Sequence, residues 1–147
     1  MIPAGTALLV VGLVAGLAAA SAEPVATVRI VVEGVRNDRG HVRIDLCTRE
    51  TFLTGDCRWH VAASAKAGRL LVDISDVPPG VYAAQAFHDE RDLLRVERGG
   101  LGLPKEGVGF SRDAPILLGP PRFARAAFTV TAAGGSTTLR LRYLSGG

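Results

Sequence analysis

The chain has 147 residues, of which 48% are hydrophobic and 21% charged, a size and balance that suit one globular domain. Its net charge of +3 arises from 17 basic and 14 acidic residues, and all the basic residues but Lys66 and Lys105 are Arg. The Arg residues are scattered rather than clustered, and aromatics make up only 5%, which argues against nucleic acid as a partner.

The chain opens on an apolar run from Ala7 to Ala20, followed by the small residues Ala20-Ser21-Ala22. That is the pattern of a secretory signal with an A-x-A cleavage site, although no Lys or Arg precedes the run. Residues 1–22 are expected to be removed as a signal peptide, with an uncleaved anchor as the alternative. This leaves residues 23–147 as a single exported domain, periplasmic or at the cell surface. No second apolar run is long enough to cross a bilayer, so no transmembrane span is expected after cleavage.

Strand signals follow in order. Val28, Ile30 and Val32 alternate with Thr27, Arg29 and Val31, and Val42, Ile44 and Leu46 alternate with Arg43 and Asp45. Asn37-Asp38-Arg39-Gly40 supplies turn chemistry between them, so the two are expected to pair as a hairpin. Thr48 to Cys57 reads as an irregular connection, with a short helix conceivable at Thr48 to Leu53. Cys47 and Cys57 are an even pair in an exported chain, which favours a disulfide over two free thiols. Trp59, Val61 and Ala63 form a weak third strand, and Leu70, Val72 and Ile74 a fourth. Asp76-Val77-Pro78-Pro79-Gly80 breaks the pattern, because proline cannot donate to a ladder. Val81 to Phe87 is a fifth strand, with Tyr82 expected to turn inward and give its hydroxyl to a backbone partner. Ala126, Phe128 and Val130 form a sixth strand, and Thr137 to Tyr143 a seventh. About seven short strands with regular turn signals predict an all-β fold, a single antiparallel β-sandwich with one long inserted loop over about residues 88–125.

That loop begins HDERDLLRVERGGLGLPKEGVGFS, from His88 to Ser111. His88 with Glu90 or Glu106 suggests a general base and Ser111 a nucleophile, which is the basis for a periplasmic hydrolase as an alternative function. No G-x-S-x-G elbow surrounds Ser111. The other reading has His88 and Glu106 tying the loop to the sandwich through backbone hydrogen bonds. Gly99, Gly100, Gly102, Gly107 and Gly109 lack the strand-to-helix setting of a phosphate cradle, so they are expected to supply positive φ instead. A C-x9-C pair without nearby histidines is a poor zinc site.

Four phrases, VPPGVYA at Val77–Ala83, HDE at His88–Glu90, GLPKEGVGFS at Gly102–Ser111 and GPPRFARAAF at Gly119–Phe128, together resemble the exported bacterial family numbered 2141 among the domains of unknown function. The Pro-Gly-x-Tyr phrase is also shared with transthyretin-like and carboxypeptidase-regulatory-like sandwiches. The resemblance implies an exported β-sandwich with no established activity. Members of that family commonly carry, after His-Asp, a run that resembles a calcium loop of Asp and Asn ligands around a Gly. Here Asp89 is present, but Arg91 and Leu93 stand at the Asn positions, Leu94 at the Gly position and Glu97 at the last Asp position. Arg91 is therefore expected to bring its guanidinium to Asp89 and Glu97 in place of an ion, and no metal or cofactor is expected. The leading expectation is a non-enzymatic envelope module that binds an unidentified envelope protein or polymer. His88, Asp89, Glu90, Arg91, Glu97, Glu106 and Ser111 on the loop are its candidate binding residues.

Overall fold

The computed structural model describes residues 15–145 together with Gly5 and Gly12. Most of the expected signal peptide over residues 1–14 lies outside the described residues. No helix among the described residues is long and apolar enough to cross a membrane.

Eight strands run in the order β1 (Ala26–Val35), β2 (His41–Cys47), β3 (Trp59–Ser64), β4 (Gly68–Val77), β5 (Gly80–Asp89), β6 (Val108–Phe110), β7 (Phe128–Val130) and β8 (Gly135–Arg140). They form two sheets, one ordered β4-β1-β8 and the other β3-β2-β5-β6, with β7 pairing to the start of β5. The all-β sandwich expected from the alternation is present. Its core lies between the sheets, where Val28, Ile30 and Val32 of β1 meet Val42, Ile44 and Leu46 of β2, each of them fully buried. Tyr82 turns inward and its hydroxyl donates to the carbonyl of Pro78 at 2.8 Å.

The hairpin expected between β1 and β2 does not form. β1 pairs antiparallel with β4 and parallel with β8, whereas β2 pairs antiparallel with β3 and β5. The turn at 36–40 instead carries the chain from one sheet to the other. Asn37 Oδ1 accepts the Arg39 N–H at 2.9 Å and Asp38 Oδ1 accepts the Ala67 N–H, so both side chains serve the crossing. Alternation reports which face of a strand is buried but not which strand lies beside it. The parallel β1–β8 pairing likewise differs in detail from a wholly antiparallel sandwich. Strands far apart in sequence are free of the tight turn that would enforce antiparallel pairing.

Three smaller features also depart from expectation. β6 was not expected, and its three residues are all buried, so they show no alternation. Thr48 to Leu53 is a single turn closed by the Phe52 N–H on the Thr48 carbonyl, not a helix. One helical turn, α1 (Phe123–Ala126), occupies the approach to β7.

Cys47 and Cys57 form a disulfide with their Cα atoms 4.8 Å apart. It closes a second, smaller core in which Phe52 packs edge-on against Phe110 and Phe123, with ring centroids 5.9 and 5.8 Å away. This core joins the Thr48–Cys57 connection to the end of the long loop. Replacing both cysteines by Ala is expected to lower the unfolding free energy by about 2–3 kcal/mol through the freed loop entropy of the unfolded chain. Guanidinium denaturation checks this, and reductant should produce the same loss in the natural protein.

Candidate functional site

The end of β5 delivers two consecutive residues to opposite sides of the sheet, as strand alternation requires. His88 goes inward and is fully buried. Its Nε2 lies 2.7 Å from the Arg39 carbonyl and its Nδ1 lies 2.9 Å from the Tyr143 hydroxyl. A carbonyl only accepts, so Nε2 carries the proton in the neutral ring and Nδ1 accepts from Tyr143. The Tyr143 oxygen in turn accepts the Arg36 N–H at 3.1 Å. The His88 backbone N–H donates to the Gly107 carbonyl at 2.8 Å, which fixes the returning end of the loop. Gly107 is required by space there: a Cβ on it would lie 2.4 Å from the Tyr143 ring.

Asp89 goes into the loop and is 1% exposed. Its Oδ2 accepts from Arg43 Nε at 2.7 Å and from the Leu94 N–H at 2.9 Å, and its Oδ1 accepts the Leu93 N–H at 2.9 Å. Burial opposes ionisation of this carboxyl, but the Arg43 guanidinium and the two N–H groups outweigh it and hold the pKa below the ordinary carboxylate value. Two residues of the turn thus pinned, Asp92 and Leu94, adopt the left-handed conformation, with φ of 54° and 63°. Leu94 stands where the family pattern has Gly, and its backbone has the conformation that glycine favours. Asp92 Oδ1 lies 2.5 Å from His41 Nδ1 and 3.4 Å from Arg43 Nη2.

Glu90 is half-buried. It pairs with Arg36 at 2.5 Å and accepts from Asn37 Nδ2 at 3.2 Å, and it lies 3.8 Å from His88 Nδ1. Arg91 forms an ion pair with Glu97 and lies 3.5 Å from Glu106. It has therefore taken the expected place beside Glu97, whereas Asp89 is neutralised by Arg43 instead. Glu106 is buried and its Oε2 accepts the Glu97 N–H at 2.9 Å. Ser111 is fully buried. Its hydroxyl donates to the Ala126 carbonyl at 2.5 Å and accepts the Ala84 N–H at 2.8 Å, extending the β5 edge beyond the end of β6.

Of the seven candidate residues, only Arg91 is exposed. Glu90 and Glu97 are half-buried, and His88, Asp89, Glu106 and Ser111 lie beneath the loop rather than on its rim. Ser111 sits level with Ala84 on β5, four residues from His88, so the two do not form a base and nucleophile pair. The residues that complete the anchor, Arg36, Arg43 and Tyr143, were not singled out from the sequence. Of the five loop glycines only Gly102 has positive φ; at Gly107 the Tyr143 ring and at Gly109 the Arg140 carbonyl lie too close for a Cβ.

The calcium-loop pattern does not fit this donor set. Both Asp89 oxygens already accept from the chain, Oδ2 from a guanidinium and an N–H and Oδ1 from a second N–H, and Arg91 lies against both Glu97 and Glu106. A divalent cation needs free oxygen ligands, and here a fixed positive charge faces each carboxylate. Two shallow depressions elsewhere are lined by other residues. One of about 390 Å³ lies between Arg49, Tyr82 and Phe123, and one of about 620 Å³ lies between Arg29, Arg112 and Thr138.

A family described as "Uncharacterized protein conserved in bacteria (DUF2141)" matches residues 30–138. That span runs from β1 to β8 and includes the whole loop. No curated protein and no solved structure matches.

Because the Asp89 pKa is depressed in the folded state, its contribution to stability is complete above the ordinary carboxylate value and is lost as pH falls through the depressed one. Glu90, Glu97 and Asp113 are shifted in the same direction. The melting temperature should therefore be flat above about pH 5 and fall steeply below about pH 4. Asp89→Asn should cost about 2–4 kcal/mol at neutral pH, since it leaves Arg43 with only the more distant Asp92 carboxylate at 3.4 Å, and should soften the acid transition. A full acid transition in the Asn variant would count against this account.

Proposed function

We propose, from the premise that the chain belongs to the uncharacterised bacterial family DUF2141, that it is an exported, non-enzymatic β-sandwich that binds a component of the cell envelope through the rim of its long loop. The observation that carries this reading is how the polar groups of the loop are distributed. The groups suited to acid–base or nucleophilic chemistry, His88 and Ser111, are fully buried and their hydrogen-bonding atoms are engaged by the fold. The outer part of the loop presents exposed side chains instead, among them Arg91, Arg95, Arg98, Leu101 and Lys105. A loop held rigidly at its base and exposed at its rim suits recognition. The apolar run and small-residue site at the start of the chain support export.

A hydrolytic reading draws on one contact, the 3.8 Å approach of His88 Nδ1 to Glu90 Oε1. His88→Ala separates the two. On the binding reading the change acts on the fold, because it empties the fully buried His88 position and removes the acceptor of the Tyr143 O–H and the donor to the Arg39 carbonyl. It should then lower stability by about 2–4 kcal/mol in urea denaturation. A normally stable variant that loses a hydrolytic activity of the natural protein would favour the enzyme. The binding reading itself is tested by sedimenting the purified, naturally processed protein with envelope fragments of its host. Co-sedimentation that weakens when Arg95 and Arg98 are changed to Glu is expected, and no association above that of an unrelated exported protein would sink the reading.

A further inference from the structure

We propose that the tongue formed by residues 97–105 docks on an anionic phospholipid surface, with Leu101 entering the boundary between headgroups and acyl chains and with Arg98 and Lys105 against lipid phosphates. The inference rests on the envelope-binding reading and names what the loop rim contacts.

The tongue is a small antiparallel hairpin. Arg98 bridges to Pro104, the Gly99 N–H donates to the Leu103 carbonyl at 2.8 Å, and the Lys105 N–H donates to the Glu97 carbonyl at 2.8 Å. Gly99, Gly100, Leu101 and Gly102 make its tip, closed by the Gly102 N–H on the Gly99 carbonyl. Leu101 at that tip is 99% exposed and its φ is 62°. The left-handed region disfavours a residue with a Cβ, and glycines flank this position on both sides. Neither backbone preference nor packing within the chain accounts for a leucine there. Leu103 behind it is also exposed.

Charge is graded along the tongue, with Lys105 rising from the base opposite Glu97 so that its side chain runs beside Gly99. The acidic groups lie at its base, where Glu97 and Glu106 face Arg91, and Glu97 also faces Arg95 at 3.5 Å. Nearer the tip, Arg98 Nη1 donates to the Gly102 carbonyl at 2.9 Å, which holds its guanidinium beside the apolar end. Among the described residues, neither Arg98 nor Lys105 has a carboxylate partner in an ion pair. A single exposed leucine is ordinary on a protein surface. An apolar tip flanked by the Arg98 guanidinium, with the Lys105 side chain running past Gly99 toward it, on a hydrogen-bonded hairpin, is the combination that an anionic interface complements. Apolar insertion and electrostatic attraction add there. The nine residues of the tongue, 97–105, are also fewer than the roughly 20–30 per side that a stable protein–protein interface uses.

The test is flotation of the purified, naturally processed protein with vesicles of phosphatidylcholine alone and of phosphatidylcholine with phosphatidylglycerol. Binding is expected only where phosphatidylglycerol is present, and it should weaken as salt rises. Leu101→Ser should reduce it about tenfold, and Arg98→Gln or Lys105→Gln about fivefold each, with the melting temperature unchanged. In a Leu101→Trp variant, anionic vesicles should shift the added fluorescence to the blue. Failure to bind anionic vesicles, binding indifferent to Leu101→Ser, or an unshifted Trp would each overturn the proposal. Association with envelope fragments but not with pure lipid vesicles would remove the lipid partner and leave the envelope-binding reading standing. Association with neither would remove both.

Discussion

A carboxylate taken out of water must have its charge balanced and its oxygens hydrogen-bonded, and the long loop is built on Asp89, where both conditions are met. Arg43 reaches Asp89 from the neighbouring strand because β2 and β5 pair in the register that sets His41 opposite Asp89 and Arg43 opposite Phe87. The carboxylate also accepts the Leu93 and Leu94 N–H groups, which folds the first turn of the loop around it. That turn sends Arg91 toward Glu97 and Glu106, and the Glu97–Glu106 contact sets the base of the tongue. Register thus determines the ion pair, the ion pair determines the turn, and the turn determines where the rim lies. A cation-binding loop reaches a comparable result with a metal ion at its centre. Here the guanidinium groups of Arg43 and Arg91 face the carboxylates of the loop.

The residue before Asp89 secures the other end of the same loop. His88 holds Gly107 through its backbone and Tyr143 through its ring, so the start of the loop, its return and the last described part of the chain meet at one buried point. Gly107 and Tyr143 fit each other by steric exclusion, since the ring fills the volume that any larger residue at 107 would need. A histidine engaged at both nitrogens makes a rigid three-way junction, at the cost of the free lone pair that a general base requires.

Strand existence and facing were legible in the sequence because burial imposes a period of two. Every strand read from the alternation has a counterpart among the eight. β6 was missed for the same reason, since Val108-Gly109-Phe110 is buried on all sides and carries no period. Neighbourhood was not legible. The turn at 36–40 has hairpin residues but serves a sheet crossing, and only the pairing of β1 with β4 and β8 reveals it. The loop was identifiable as a unit, and its replaced ligand pattern pointed to Arg91. Its true anchors were hidden because they are remote: Arg43 lies 46 positions from Asp89, and Tyr143 lies 55 from His88. Local pattern cannot choose among fifteen arginines. The glycines of the loop show a related limit, because close approach and positive φ leave the same letter in the sequence.

The parallel union of β1 and β8 places the first and last strands of the domain side by side. During synthesis β1 can acquire β4 early, but its other edge stays open until residues 135–140 have been made. Closing a contact of such long range is entropically slow, and nothing local nucleates it. β1 therefore carries one open edge through most of the synthesis of the sandwich. The sandwich becomes closed only once β8 is present to cover that edge.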